Sequence, residues 1–285
     1  LTAPLKPQAI AAAFHEACLA ELDALKPGNV HRFADGHSMS VADFEASAAA
    51  AAPLIGAADL SVGERIEAAV TATRDAVDQN TNLGIILLAA PLAQAALATG
   101  GSLRDRLGHV LGTLTIEDAQ AAYRAIRTAA PGGLGSAPSH DVSAEPAVTL
   151  FEAMGAAATR DRIAWNYTND FVDIFELGLK WLDGGLKRWG DVPWVTTSVY
   201  LGFLAHIPDT LIERKFGGDA ASEVRDEARP IEAGLSQSTA PGEMAAPLAA
   251  FDRSLKERGL NPGTSADLTV ATLFAAGLRG PVTSG

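Results

Sequence analysis

Residues 78–92 read Asp78-Gln79-Asn80-Thr81-Asn82-Leu83-Gly84-Ile85-Ile86-Leu87-Leu88-Ala89-Ala90-Pro91-Leu92. A polar cluster runs straight into an apolar segment. A helix that is apolar on every side is buried among other elements. The run from Leu83 to Leu92 is about half a membrane span and contains Pro91, so it reads as a core helix and not a crossing one. Its N-terminus must then point out of the core, with free N–H groups and the positive end of the helix dipole beside Asn80, Thr81 and Asn82. Such an end suits an anion. Asn80 or Thr81 also serves as a helix cap, and capping and ligand binding coexist. Asp78 is placed to hold magnesium next to bound phosphates.

The same helical spacing of apolar residues recurs over 8–24, 41–52, 63–78, 83–98, 116–129, 145–159, 161–182, 194–206, 219–235, 242–258 and 265–278. Ser40, Ser61, Thr115 and Ser143 precede helical runs as N-caps, and Glu64 and Asp118 complete capping boxes. The pairs Gly100-Gly101, Gly184-Gly185 and Gly217-Gly218 read as helix ends. Residues 192–200 are ambiguous: β-branched residues favour a strand, and Pro193 and Trp194 do not. Strands do not alternate with helices, which argues against a doubly wound sheet. The longest irregular stretch, 131–143, is rich in Gly, Pro and Ser and reads as a linker or a functional loop. The expectation is one all-α domain spanning 1–285, with about ten or more helices.

The 285 residues are 48% hydrophobic, enough for a sizeable core. A net charge of -12 and a pI near 4.9 argue against a nucleic-acid partner, which needs a basic face. A local Lys/Arg cluster can still bind a nucleotide. The single cysteine, Cys18, excludes an internal disulfide framework and reads as a buried small hydrophobe. Residues 1–20 lack the basic start and apolar core of a secretory leader. A cytoplasmic protein with no membrane partner is expected. Alanine-rich faces and tryptophans are compatible with a homodimer.

Four further clusters carry ionisable groups. Pro27-Gly28 breaks the first helical run and is followed by Asn29, His31, Arg32, Asp35 and His37. There Lys26 and Arg32 are placed to hold phosphate, and His31 or His37 to bind or shuttle a proton. Glu21 lies about a turn and a half upstream and projects toward the same region. His140-Asp141, in the irregular stretch, offers a base or a metal ligand. In 208–218, Thr210 and Arg214 share a helical face, and the adjacent cations Arg214 and Lys215 suit phosphate. In 261–269, Ser265 supplies a hydroxyl and Asp267 a metal-linked or basic carboxylate. Each cluster also has a plain reading as a cap, a turn or a solvated face.

Taken in order, these segments resemble the triphosphoribosyl-dephospho-CoA synthase family from about residue 10 to residue 279. The matching residues are Lys26-Pro27-Gly28, Gly36-His37 with Met39, Asn80-Thr81 with Gly84, Asp209-Thr210 with Arg214 and Gly217, and Gly263, Ser265, Ala266, Asp267 and Leu268. The resemblance implies an all-α enzyme that uses ATP as a substrate with magnesium. The 2′-hydroxyl of 3′-dephospho-CoA displaces adenine from C1′ of the ATP ribose, giving a prosthetic-group precursor. On this reading Glu21, His37 and Asp267 handle protons. Lys26, Asn29, His31, Asn80, Thr81, Asn82, Thr210, Arg214, Lys215 and Ser265 hold substrate, and Asp78, Asp141 and Asp209 hold the metal. The sequence departs from the better-known synthases at Asn82-Leu83, where they carry His-Lys, and at Thr264, where they carry Gly. The Asn-Thr-Asn-Leu-Gly version resembles a branch found in archaea and one-carbon-metabolising bacteria. For that branch, two alternatives stand beside the lead reading. One is a kinase-like or other ATP-using transferase acting on a methanopterin- or methanofuran-type precursor. The other is a non-catalytic helical nucleotide-binding protein.

Overall fold

The structure, a computed structural model, describes residues 4–34, 39–132, 135 and 139–279. These form fourteen α-helices and no strand, and an isolated bridge joins His31 to Ala34. In order they are α1 (Pro7–Leu22), α2 (Val41–Gly56), α3 (Val62–Val77), α4 (Leu83–Leu97), α5 (Leu103–Gly112), α6 (Ile116–Ala129), α7 (Leu150–Ala157) and α8 (Arg162–Thr168). A π-helical turn at Asp173–Gly178 leads into α9 (Leu179–Trp189), followed by α10 (Val192–His206), α11 (Thr210–Phe216) and α12 (Gly218–Gln237). A 3₁₀ turn at Pro241–Met244 precedes α13 (Ala245–Glu257) and α14 (Gly263–Leu278).

The centre is built on α4 and α14. Helix α4 buries every residue from Ile85 to Ala93 and packs against α1, α2, α3, α5, α8 and α14. Each large apolar side chain taken out of water there contributes roughly 1.5–3 kcal/mol before chain entropy is counted. Pro91 lies inside this helix and has no N–H, so the Leu87 carbonyl lacks its helical donor. The Tyr167 hydroxyl donates to that carbonyl at 2.6 Å, which satisfies the broken rung from α8. Helix α14 buries Leu268, Val270, Ala271, Phe274 and Leu278, and Phe274 meets Phe14 of α1 edge to face at 5.7 Å between centroids. A second apolar cluster joins α10, α11, α12 and α13 through Tyr200, Ile212, Val224 and Leu255. No helix among the described residues is long and apolar enough to cross a membrane.

Local chemistry explains where elements begin. Ser40, Ser61 and Thr115 each accept from the N–H three residues on, and Asp43, Glu64 and Asp118 return the bond. Ser143 caps no helix, because its N–H and hydroxyl both turn back to Asp141; Thr149 with Glu152 starts α7 instead. The single helix expected over 161–182 is interrupted where Asp170 and Phe171 take left-handed backbone angles. Gly184-Gly185 lie inside α9, and Gly185 lets α9 approach Val195 of α10. Residues 192–200 are helical, with Asp191 as cap and Pro193 in the first turn, where its missing N–H costs nothing.

Candidate active site

The N-terminal turns of α4 and α14 touch. A Cβ on Gly84 would collide with the Asp267 carboxylate, so glycine is required for the two turns to sit this close. A cavity of about 260 Å³ opens at this junction. Asn80 to Ile85 form one wall. Glu21 of α1, Asn29, Asp161, Arg214 and Lys215 of α11, Asn261, Thr264 and Asp267 supply most of its remaining polar surface. Met39, Phe44, Leu87 and Leu211 supply apolar surface. Asn82 is the N-cap residue of α4 but makes no side-chain cap bond; the Asn80 Oδ1, two residues before it, accepts from the Leu83 N–H at 3.2 Å. Thr81 donates to the Ser47 hydroxyl at 2.6 Å, and buried Asn82 donates to Thr73 at 3.1 Å.

Beneath the cavity, Asp209 is a hub. It caps α11 by accepting from the Leu211 and Ile212 N–H groups, and it accepts from the N–H and hydroxyl of Ser265 in α14. Burial pushes its carboxyl up, and these hydrogen bonds pull it back. The Thr210 and Thr264 hydroxyls lie 3.0 Å apart, and Thr210 also accepts from the Arg162 N–H. Asp161 caps α8 and pairs with Arg214, which ties the N-terminus of α8 to α11. The Nε of Arg214 is buried with no hydrogen-bond partner among the described residues. The Asp267 carboxyl receives no hydrogen bond among the described residues, and its pKa is held well above the usual carboxylate range by burial, then by the Asp209, Glu21 and Asp161 carboxylates. Arg214 opposes that shift.

Lys26 and Glu21 form a buried ion pair, with Asn29 accepting a second bond from Lys26 at 3.3 Å. Burial raises Glu21 and lowers Lys26, and each partner opposes the other's shift. The pair is electrically neutral whichever one holds the proton. Gly28 follows at φ 82°, and its N–H donates to Asp252 at 2.9 Å. A side chain at Gly28 would run into Pro262 and Leu255. The Lys-Pro-Gly turn is thereby locked against α13 and the start of α14, with Asn29 donating to Asn261 at 2.8 Å.

The structure brings together Glu21, Asn29, Asn80, Thr81, Asn82, Arg214, Lys215 and Asp267 around this cavity. Thr210, Ser265 and Asp209 lie just behind the wall and organise it. Other expected site residues fall elsewhere. Lys26 is fully buried behind Glu21, so its charge is spent on that carboxylate and not on a phosphate. His31 is buried against Asp252 at 3.4 Å. Arg32 pairs with Asp23 and Glu45 on the surface. The three expected metal ligands do not converge. Asp78 is an exposed left-handed cap paired with Arg74, Asp141 lines a neighbouring cavity, and Asp209 already accepts four bonds. Among the described residues no three His, Cys, Asp or Glu side chains are grouped to hold a metal. His37 lies outside the described residues. Sequence reasoning missed Asp161 and Asn261; the signal for Asp161 was an aspartate directly before a helical run, read there only as the start of a helix.

These features define an all-α protein whose polar side chains gather at helix N-termini around one cavity, with the Asp267 carboxyl on its wall. The chain belongs to the ATP:dephospho-CoA triphosphoribosyl transferase family, which it matches over residues 7–284. It is an ATP-dependent transferase of the triphosphoribosyl-dephospho-CoA synthase type, acting in cofactor biosynthesis. A crystal structure from Archaeoglobus fulgidus, provisionally designated a triphosphoribosyl-dephospho-CoA synthase, is similar in fold. It has a TM-score of 0.64 and 24% identity, covering 82% of this chain and 98% of that one. No curated protein matches the chain in sequence.

Proposed function

We propose that this cavity binds the triphosphate of ATP at Arg214 and Lys215, and that Asp267 accepts the proton of the attacking hydroxyl. The observation that carries this reading is the Asp267 carboxyl. It faces the cavity with no hydrogen-bond partner among the described residues, its proton affinity raised, beside an arginine with an open donor. A raised proton affinity makes a carboxylate a stronger base toward a hydroxyl proton. In the reaction, the 2′-hydroxyl oxygen of dephospho-CoA bonds to C1′ of the ATP ribose, and the bond from C1′ to adenine breaks. The hydroxyl proton passes to Asp267, departing adenine takes a proton from solvent at a ring nitrogen, and Asp267 then returns its proton to solvent, so no net proton is gained or lost. Arg214 and Lys215, with the N-terminus of α4, offset the triphosphate charge. Phe44 and Met39 offer apolar surface to the purine. Magnesium enters with ATP as part of the substrate. Phosphate oxygens and at most one or two carboxylates at the cavity would hold it, as is usual for this ion. With these substrates the site of action is the cytoplasm.

The test is ATP labelled in its base, incubated with the protein, magnesium and dephospho-CoA. Free labelled adenine and a triphosphoribosylated acceptor are expected. Labelled ADP with a phosphorylated acceptor, and no adenine, would replace this reading with the kinase-like one.

Two variants bear on the wall. Arg214→Ala should weaken ATP binding by about 1.5–3 kcal/mol, the range for a hydrogen bond to a charged group. Calorimetry should read that as roughly a 10- to 150-fold rise in Kd. Unchanged affinity would leave Arg214 as no more than the partner of Asp161. Gly84→Ala should push the Asp267 carboxylate out of position and cut turnover about tenfold or more, while helix propensity favours alanine by up to ~1 kcal/mol. Full activity with an unchanged melting temperature would show that the contact is not needed.

A further inference from the structure

A second cavity of about 260 Å³ adjoins the first and shares Asp161, Arg214, Leu87, Ile126 and Ile163 with it. Its character differs. Leu150, Ala153, Met154 and Ala164 give it an apolar interior, and its polar groups are largely engaged. The Tyr123 hydroxyl donates to the His140 carbonyl at 2.6 Å, and Asp141 accepts from Ser143 at 2.9 and 2.6 Å. Arg160 is exposed on its lining, and Arg214 stands on the wall common to both cavities. One bound ligand of ordinary size fills roughly 300–1,000 Å³. At about 260 Å³ the first cavity falls below even the range for one ligand, so it has no room for the whole of two nucleotide substrates. The transfer reading requires two, and the acceptor carries a long arm of methylenes and a gem-dimethyl carbon on its diphosphate.

We propose that the second cavity seats this pantetheine arm of the acceptor. The Arg214–Asp161 pair is then the partition between the two substrates. The acceptor ribose enters the first cavity beside Asp267, its diphosphate lies along Arg214 and Arg160, and its arm runs over α7. This assignment rests on the transfer reading above and adds to it where the acceptor lies.

Ala153 and Ala157 are one turn apart on α7, and both line the second cavity alone. Ala153→Trp fills the interior, and Ala157→Trp fills it from a less buried position that is safer for folding. Equilibrium binding of dephospho-CoA and of magnesium-ATP is measured separately on wild type and on both variants, with melting temperatures as the folding control. The expected result is a rise of about 10-fold or more in the Kd for dephospho-CoA in whichever variant melts like wild type, with ATP affinity within about twofold. Unchanged dephospho-CoA binding in a folded variant, an equal loss of ATP binding, or no dephospho-CoA binding by wild type overturns the assignment. Adenine release by wild type reports on the transfer reading separately. Dephospho-CoA bound in the second cavity with no adenine released would keep this assignment and discard the transfer.

Discussion

Asp267→Asn is expected to lower kcat/KM for adenine release by about 10²–10⁴-fold, the usual contribution of a positioned general base. It should also make the protein more stable at neutral pH. The sign follows from linkage. The Asp267 carboxyl has a higher pKa folded than unfolded, because burial and the Asp209, Glu21 and Asp161 carboxylates disfavour its charge. Below the unfolded value, near 4, both states are protonated and nothing is lost. As pH rises toward the folded value the unfolded chain ionises first, and wild-type stability falls. The asparagine variant has no such loss, so its melting temperature should match wild type near pH 4 and exceed it at pH 7–8. The acid limb of the wild-type pH–rate profile should disappear in the variant. An inactive variant that is less stable than wild type at every pH would make Asp267 a structural residue.

Lys26→Met should give the largest loss of stability. Glu21 is 4% exposed and Lys26 is fully enclosed, so removing the cation strands a buried carboxylate. Breaking such a pair costs about 3–5 kcal/mol. The loss should be greatest at pH 7–8 and shrink as pH falls, because protonation of Glu21 removes the stranded charge. The double variant Lys26→Met, Glu21→Gln should recover much of the stability, since a buried pair exchanged for neutral groups is often close to energetically even. Urea unfolding of both variants at pH 5 and pH 8 reads all three effects. A single-variant loss below about 1 kcal/mol would place the pair in contact with water.

Most of the fold is legible because burial leaves a periodic trace. The apolar run of α4 and the caps at Ser40, Ser61 and Thr115 are local signals, and local signals were enough. Helix α5 was not legible. It carries Arg104, Asp105, Arg106, Gly108 and Gly112 in ten residues, and its apolar face is only Leu103, Leu107, Val110 and Leu111. Its Ser102–Asp105 capping box was the available sign, masked by the glycine pair before it. The break at Asp170–Phe171 had no sign, because left-handed non-glycine residues are imposed by packing.

The site was legible as a set of polar clusters, and less so as a division of labour. Charge type cannot tell a ligand from a partner. Lys26 and Asp209 have the chemistry for phosphate and metal, yet one is neutralised by Glu21 and the other saturated by four donors. Conversely, Gly84 matters through what it lacks, and only the position of Asp267 against it shows why.

The most direct test of the central claim is a crystal structure of the protein with dephospho-CoA and a magnesium-bound ATP analogue that cannot release its base. The triphosphate should lie on Arg214 and Lys215, with the acceptor 2′-hydroxyl about 2.6–3.2 Å from the Asp267 carboxyl and facing C1′ of the nucleotide. A nucleotide bound outside this cavity, or an acceptor hydroxyl remote from Asp267, would contradict the account.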